Sequence, residues 1–266
     1  MSRLSDIPVV RLEGLSIHAF PTMTSFLHCV EESVQLPEQT VVGNVNIHAM
    51  NIAFHDPSYR DFLQDCHIIY CDGAGVMWGS QLAVQHRIPL RLTVVDFLPG
   101  MLEHLAVCGW SSYLLGWKPG IIEKGMPVVE QLIERHSVVG SHHGYIHNDK
   151  DLNDKVVQDI NDSGADVLFV GMGMPLQEFW IEQNRHKLNV RTLIPIGAAM
   201  DIFAGALRRP PSWMIEADLE WLWRLGAEPK RLFKRYVVGN PWFMSRMLWT
   251  RIRSSLKKST NNEHSS

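Results

Sequence analysis

Cysteine is scarce in this chain, and none of it is paired at metal-binding spacing. The four cysteines, Cys29, Cys66, Cys71 and Cys108, form no CxxC, which argues against a zinc ribbon and against a disulfide framework. A reducing, cytoplasmic setting is the expectation. Long apolar runs are missing too. No uncharged stretch reaches the ~18 residues of a membrane-spanning helix, and the longest candidate, Thr192 to Leu207, is interrupted by Asp201. The opening residues Met1-Ser2-Arg3-Leu4-Ser5-Asp6 carry no apolar core of a secretion signal. Walker A, GxSxG and HExxH motifs are absent, which removes the simplest signatures of P-loop hydrolysis, serine esterases and zinc proteases. No internal repeat or low-complexity segment precedes the tail, Ser259 to Ser266, where disorder is expected.

What is present is ordinary in bulk and uneven in detail. The 266 residues are 45% hydrophobic and 20% charged, enough to bury a large core. A net charge of −3 conceals two opposite halves. Residues 1–207 hold 13 Lys/Arg against 23 Asp/Glu, whereas residues 208–258 hold 12 against 4. Five of the nine tryptophans lie in that basic section. An anionic partner is implied for it: nucleic acid, a phospholipid surface or a phosphorylated substrate.

Short apolar segments alternate with helical ones. Strands are expected at Val9–Leu12, Leu15–Phe20, Thr40–Asn46, Cys66–Cys71, Ser112–Gly116, Val138–Ile146, Val167–Val170 and Thr192–Ile196. Between them the pattern predicts helices at Thr22–Gln35, up to Phe54, from Asp56-Pro57, at Val76–Gln85, Leu98–Val107 and Ile121–Arg135, and through Asn161. Repeated βα units of this kind build a largely parallel sheet with helices on both faces. Past Gly205 the character changes. Arg208-Arg209-Pro210-Pro211 breaks the chain, and basic, aromatic helices follow with stops at Pro229 and Pro241.

The most informative turn is Gly171-Met172-Gly173-Met174-Pro175-Leu176-Gln177-Glu178. Its glycines permit a sharp turn and close approach of another molecule, and Pro175 suits the first position of a helix. It is not a dinucleotide fingerprint, because Leu176 stands where GxGxxG needs a small residue. A carboxylate in the first helical turn would repel a phosphate there, so Gln177 or Glu178 is expected to meet sugar or nucleoside hydroxyls. Alternatively, Glu178 only complements the helix dipole. Asp72 ends another strand in the turn Asp72-Gly73-Ala74-Gly75. It can take a proton from a substrate hydroxyl or simply cap a turn or helix. Asn44 and Asn46 lie at a third strand end. Arg91 and Asp96 flank a short link, where the arginine neutralises a phosphate or makes a surface ion pair. Asp201 binds a hydroxyl or caps a helix.

Weaker signals were set aside. His142 and His143 should point to opposite faces of a strand, and Asn148-Asp149 reads as a helix cap rather than part of a metal-binding DxD. In the basic section Arg224, Arg231 and either Lys234 or Arg235 recur at helical spacing despite Pro229. Trp221, Leu225, Leu232, Phe233 and Tyr236 supply an apolar counterpart. Basic residues beside tryptophan on an amphipathic helix suit a membrane interface.

Taken in order, these pieces resemble the WecG/TagA/CpsF family of bacterial glycosyltransferases over about residues 40–240. The pieces are Asn46, Asp72-Gly73, Arg91…Asp96, Gly171 to Glu178, Gly197…Asp201…Gly205, Arg209-Pro210-Pro211, and Leu219 to Leu225 with Glu228-Pro229, Arg231 and Arg235-Tyr236. The resemblance implies an inverting, metal-independent transferase without a cofactor. It would move N-acetylmannosamine or another hexose from a UDP-sugar to an undecaprenyl-diphosphate-linked sugar in cell-surface polysaccharide synthesis. Asp72 would be the general base. Asn44, Asn46, Arg91, Asp96, Gln177, Glu178 and Asp201 would line the site, with Arg209, Arg224, Arg231 and Arg235 supplied by a closing appendage. The family commonly has Thr-x-Asn where this chain has Asn44-Val45-Asn46, glycine where it has Val94, and Arg-Ala-Pro where it has Arg209-Pro210-Pro211.

The resulting expectation is a Rossmann-like α/β core over residues 1–207, with a mainly parallel sheet and helices on both faces. A basic helical appendage follows over 208–258, then a disordered tail over 259–266. The partners would be a UDP-sugar, a lipid-diphosphate-linked acceptor and the cytoplasmic membrane surface, with peripheral attachment inside the plasma membrane. Nucleic acid is not expected, because the acidic remainder repels it, and self-association into a homo-oligomer is compatible. The competing reading is a non-catalytic, membrane-associated subunit that binds a sugar nucleotide.

Overall fold

A computed structural model describes residues 3–263 of the chain. It opens with an antiparallel hairpin, β1 (Val9–Leu12) and β2 (Leu15–His18), followed by α1 (Met23–Gln35). The main sheet then begins with β3 (Thr40–Val45), helices α2 (Ile47–His55) and α3 (Pro57–Asp65), and β4 (Ile68–Cys71). Next come α4 (Ala74–Val84), α5 (Val94–Val107), β5 (Ser112–Gly116), α6 (Ile122–Glu130), β6 (Val138–His142) and α7 (Lys150–Asp162). The sheet is completed by β7 (Val167–Gly171), α8 (Leu176–Asn184) and β8 (Thr192–Pro195). After α9 (Ala199–Phe203), three short helices follow: α10 (Ser212–Glu216), α11 (Glu220–Ala227) and α12 (Pro229–Phe233). A π-helical turn, Lys234–Val238, leads into α13 (Gly239–Glu263).

The six strands lie in the order β4-β3-β8-β7-β5-β6, and every pairing is parallel. Strands β3, β4, β5, β7 and β8 are buried along their whole length, as parallel strands covered on both faces must be. Two apolar clusters account for that cover. One gathers the hairpin, α2, α3, α7, α8 and α13 on one face, and the other gathers α1, α5, α6 and α9 on the opposite face.

Local chemistry sets many of the boundaries. Thr22 accepts from the Ser25 N–H to cap α1, Asp56 accepts from Ser58 and Tyr59 before Pro57 in α3, and Asp149 accepts from Leu152 to cap α7. Each satisfies a helix-end donor that has no partner within the helix. Other ends differ from the sequence reading. Helix α5 starts at Val94, four residues early, and tolerates Pro99 inside it. Helix α6 stops at Glu130, and β6 stops at His142, so strand alternation never separates His142 from His143; their rings lie 4.3 Å apart.

The C-terminal section divides in two. Residues 208–238 lie over the carboxyl edge of the sheet. Helix α13 instead packs on α4, where a Cβ on Gly79 would meet the Phe243 ring at 2.5 Å, and Phe243 and Met247 are fully buried. Arg246 reinforces this contact through two hydrogen bonds to the Glu13 carboxylate, at 2.8 and 3.1 Å. Backbone helix continues to Glu263, through most of the tail expected to be disordered, because no proline interrupts it after Pro241. Residues 264–266 lie outside the described residues.

Candidate active site

One cavity of about 790 Å³ opens over the carboxyl ends of the four adjacent strands β4, β3, β8 and β7, under residues 206–235. Ligands of open α/β sheets bind at this edge, because the strand-end turns converge there. Asn44, Asn46, Asp72 and Gln177 line its floor, and Arg209, Arg224, Arg231 and Arg235 line its roof.

Asp72 is placed by its neighbours. Its N–H donates to the Val45 carbonyl (2.8 Å), which fixes the turn after β4 against β3. Asn46 then performs two tasks with one amide. Its Oδ1 accepts from the Ala49 N–H (3.1 Å) and caps α2, so its Nδ2 is aimed at Asp72 Oδ2 (3.4 Å). Burial raises the Asp72 carboxyl above the usual range, while the Asn46 hydrogen bond and the charges of Arg224, Arg235 and Arg91 oppose that rise. A carboxylate moved upward in this way is a stronger base toward a substrate hydroxyl. Asn44, at the end of β3, donates to the Pro195 carbonyl (2.9 Å) and ties β3 to β8.

The turn after β7 is organised from inside. Gly173 adopts φ +83°, a conformation that disfavours side chains, and the Met174–Pro175 peptide is cis. Gln177 Oε1 accepts from the Gly173 N–H (3.1 Å) and from the Gly197 N–H (3.0 Å), so one buried amide clamps the turns after β7 and β8. Its Nε2 donates to Glu178 Oε1 (2.8 Å). Both ends of Gln177 are therefore engaged within the protein. Glu178 lies behind it, away from the cavity, and burial pushes its carboxyl up to about 7. The Tyr59 hydroxyl is its neighbour, raised by burial and by Glu178. Gly171 is packed against Trp117, whose ring a Cβ would meet at 2.3 Å; a protein side chain, not a ligand, makes the close approach.

Residues 208–238 treat charge differently. Arg224 makes no ion pair among the described residues, and the buried Nε of Arg235 has no hydrogen-bond partner. Burial lowers the Arg235 guanidinium, and the nearby Arg224 and Arg231 charges add to this. Arg231 is held by Glu228 (Nε to Oε1, 2.8 Å). The π-helical turn brings Arg235, not Lys234, to the cavity.

Three further residues read from the sequence take other positions. Arg91 does not line the cavity. It donates to the Ile215 carbonyl (2.9 Å) and pairs with Glu220 (3.2 Å) and Asp218 (3.5 Å), so it ties α10 and α11 to the link before α5. Asp96 pairs with Arg209 and accepts from the Thr93 hydroxyl at the rim. Asp201 is half-buried behind the roof; burial raises it, and Lys118, Glu228, Arg224 and Arg231 are its charged neighbours. Two residues escaped the sequence reading. Glu220 lines the cavity with its carboxyl raised by burial, and His48, pushed down to about 4 by burial and by Arg235 and Arg231, stays neutral beneath the roof. A signal for the first was present: Glu220, Arg224, Glu228, Arg231 and Arg235 recur every three or four residues, the spacing of one helical face.

A parallel sheet with a strand-end cleft, a buried carboxyl at one strand and cations arriving from a later segment fit an α/β group-transfer enzyme. The sequence model of the glycosyl transferase WecG/TagA/CpsF family matches residues 10–257, and the chain belongs to that family. It is a glycosyltransferase. The chain is 29% identical over 238 residues, 88% of its length and 86% of the relative's, to the N-acetylglucosaminyldiphosphoundecaprenol N-acetyl-beta-D-mannosaminyltransferase of Bacillus subtilis (strain 168). Proteins of the same description in Bacillus spizizenii and Staphylococcus aureus (strain NCTC 8325 / PS 47) are 27% and 29% identical, over 67% and 72% of this chain and 68% and 73% of their own.

Proposed function

We propose that the protein transfers an N-acetylmannosamine or related hexose from a UDP-sugar to an undecaprenyl-diphosphate-linked sugar, with inversion, at the inner face of the plasma membrane. The observation that carries this reading is the meeting, in one cavity, of the Asp72 carboxylate with Arg224 and the unpartnered Nε of Arg235. The descriptions of the relatives support the acceptor class and the sugar.

In this mechanism the acceptor hydroxyl attacks the anomeric carbon from the floor side and Asp72 takes its proton. The bond from that carbon to the UDP oxygen breaks on the opposite face, and the electron pair leaves with UDP. Charge developing on the diphosphate is met by the cations of Arg224, Arg231 and Arg235, which lie over the cavity. Asn46 holds the carboxylate in orientation. Gln177 shapes the cleft through the two turns it joins.

The outward side of 208–256 fits a bilayer surface. Trp213, Phe233, Trp242, Trp249 and Leu256 are exposed there, among Lys230, Lys234, Arg251 and Arg253. Aromatic residues with cations are the composition of an interfacial anchor, and among the described residues no helix is long and apolar enough to cross a membrane. The test is turnover of UDP-sugars on short-chain lipid-diphosphate acceptors, with and without anionic vesicles. A folded Asp72→Asn protein that keeps a near-normal rate refutes the mechanism. Binding of UDP with no turnover of any donor favours the non-catalytic subunit instead.

A further inference from the structure

A second cluster of chemistry-bearing side chains lies far from this cavity. His28 and Glu31 occupy successive turns of α1, and His104 and Cys108 the corresponding turns at the end of α5. Spacings of three and four residues put each pair on one helical face. The two faces meet. His104 Nε2 lies 2.9 Å from Glu31 Oε2 and 3.9 Å from Cys108 Sγ, and the His28 and His104 rings are 5.3 Å apart. Candidate ligand atoms of His28, Glu31 and His104 all fall within 4.8 Å of one another. All four residues are partly buried.

We propose that His28, Glu31, His104 and Cys108 form a tetrahedral site for a divalent transition metal, best matched by Zn²⁺, that staples α1 to α5. Zinc–ligand bonds of about 2.0–2.3 Å set ligand-to-ligand edges of about 3.3–3.6 Å, so His28, Glu31 and His104 need only small side-chain adjustments. Cys108 Sγ, 3.9 Å from His104 Nε2 but outside that mutual group, completes the tetrahedron by turning toward the other two ligands. Imidazole, carboxylate and thiolate are each donors that zinc accepts. Gln35 Nε2 donates to Glu31 Oε1 (3.2 Å) and leaves Oε2 turned toward His104, an outer-shell contact of the kind that orients metal ligands. Cys108 caps the carboxyl end of α5, where unpaired carbonyls favour a cation. Zinc takes the Cys108 sulfur as thiolate, and binding releases the thiol proton to solvent. At about 1.5 Å per residue, His104 lies about 15 Å along α5 from Val94 at the cavity, so the site is structural and its test needs no substrate.

The experiment uses the full chain stripped by chelator, then titrated with Co²⁺ and with Zn²⁺. One equivalent of Co²⁺ is expected, with tetrahedral visible absorption and a thiolate-to-cobalt charge-transfer band. Cys108→Ser should lose that band and weaken binding by more than about tenfold. His28→Ala/His104→Ala, verified as folded by circular dichroism, should abolish stoichiometric uptake, whereas His142→Ala/His143→Ala should not. Zinc should raise the Tm of the parent and leave that of His28→Ala/His104→Ala unchanged. Octahedral cobalt without a thiolate band, or uptake indifferent to His28 and His104, overturns the assignment.

Discussion

The turns after β7 and β8 and the segment 208–238 face each other across one cavity, and they handle polar groups in opposite ways. On the sheet side, Gln177 is engaged at both ends of its amide, to Gly173, Gly197 and Glu178, although Asn44 Oδ1 and Glu178 Oε2 on that side keep no hydrogen-bond partner among the described residues. On the opposite side, among the described residues, Arg224 is without an ion pair and the buried Arg235 Nε without a hydrogen-bond partner. An amide bonded across two turns fixes their geometry, whereas a buried cation without an ion pair destabilises the protein and gains when an anion arrives. The floor is thus the more tightly bonded side and the roof carries the spare positive charge, a division that agrees with the proposed mechanism.

Substitutions can break this contrast, beginning with the largest expected effect. Asp72→Asn should lower kcat by about 10³ while leaving the Tm near that of the parent, measured as sugar transfer to a lipid-diphosphate acceptor. Arg235→Ala should reduce kcat/KM by about 10² without lowering the Tm, because it removes a buried, unsatisfied charge. A fall in Tm with unchanged kinetics would place Arg235 among the structural groups instead. Gln177→Leu should show the reverse. It orphans two backbone N–H groups, and urea unfolding should report a loss of about 2–3 kcal/mol.

A last test concerns pH. Glu178, pushed up to about 7, is neutral in the fold where the unfolded chain would ionise it. Its contribution is complete below about pH 4.5 and is lost as the pH rises through 7, with a slope approaching ~1.4 kcal/mol per pH unit. His48, pushed down to about 4, acts in the opposite sense: its contribution is present above pH 6.5 and lost as the pH falls through 4. The two slopes oppose each other between 4.5 and 6.5, so the readout is the difference between Glu178→Gln and the parent. That difference should grow steadily from pH 4.5 to 7, and a constant difference would mean that Glu178 titrates normally.

Much of this was legible in the chain itself. Apolar segments of strand length, the caps at Thr22, Asp56 and Asp149, and the breaks at Pro210, Pro211 and Pro229 lie within a few residues of what they control. The basic stripe from Arg224 to Arg235 was visible for the same reason, since helical periodicity is local. Asp72, Asn44 and Asn46 were found because they follow strands, and strand ends of a parallel sheet share one edge.

Partners far apart in sequence were another matter. Gln177 looked like a substrate contact until the order β3-β8-β7 set the Gly197 turn beside the Gly173 turn. Arg91 looked like a phosphate ligand until residues 215–220 folded back onto it. Helix α13 read as part of an appendage, but its Phe243 fills the space left by Gly79 on α4. The cluster at His28 and His104 shows no metal-binding motif, because its halves sit on two helices that only packing brings together. The sequence determined by itself most of the elements and which carboxylate and cations stand at strand ends and on the basic stripe, all set by short-range chemistry. Only the tertiary structure decided which of these groups already have partners, because that depends on which strand ends and helix faces become neighbours.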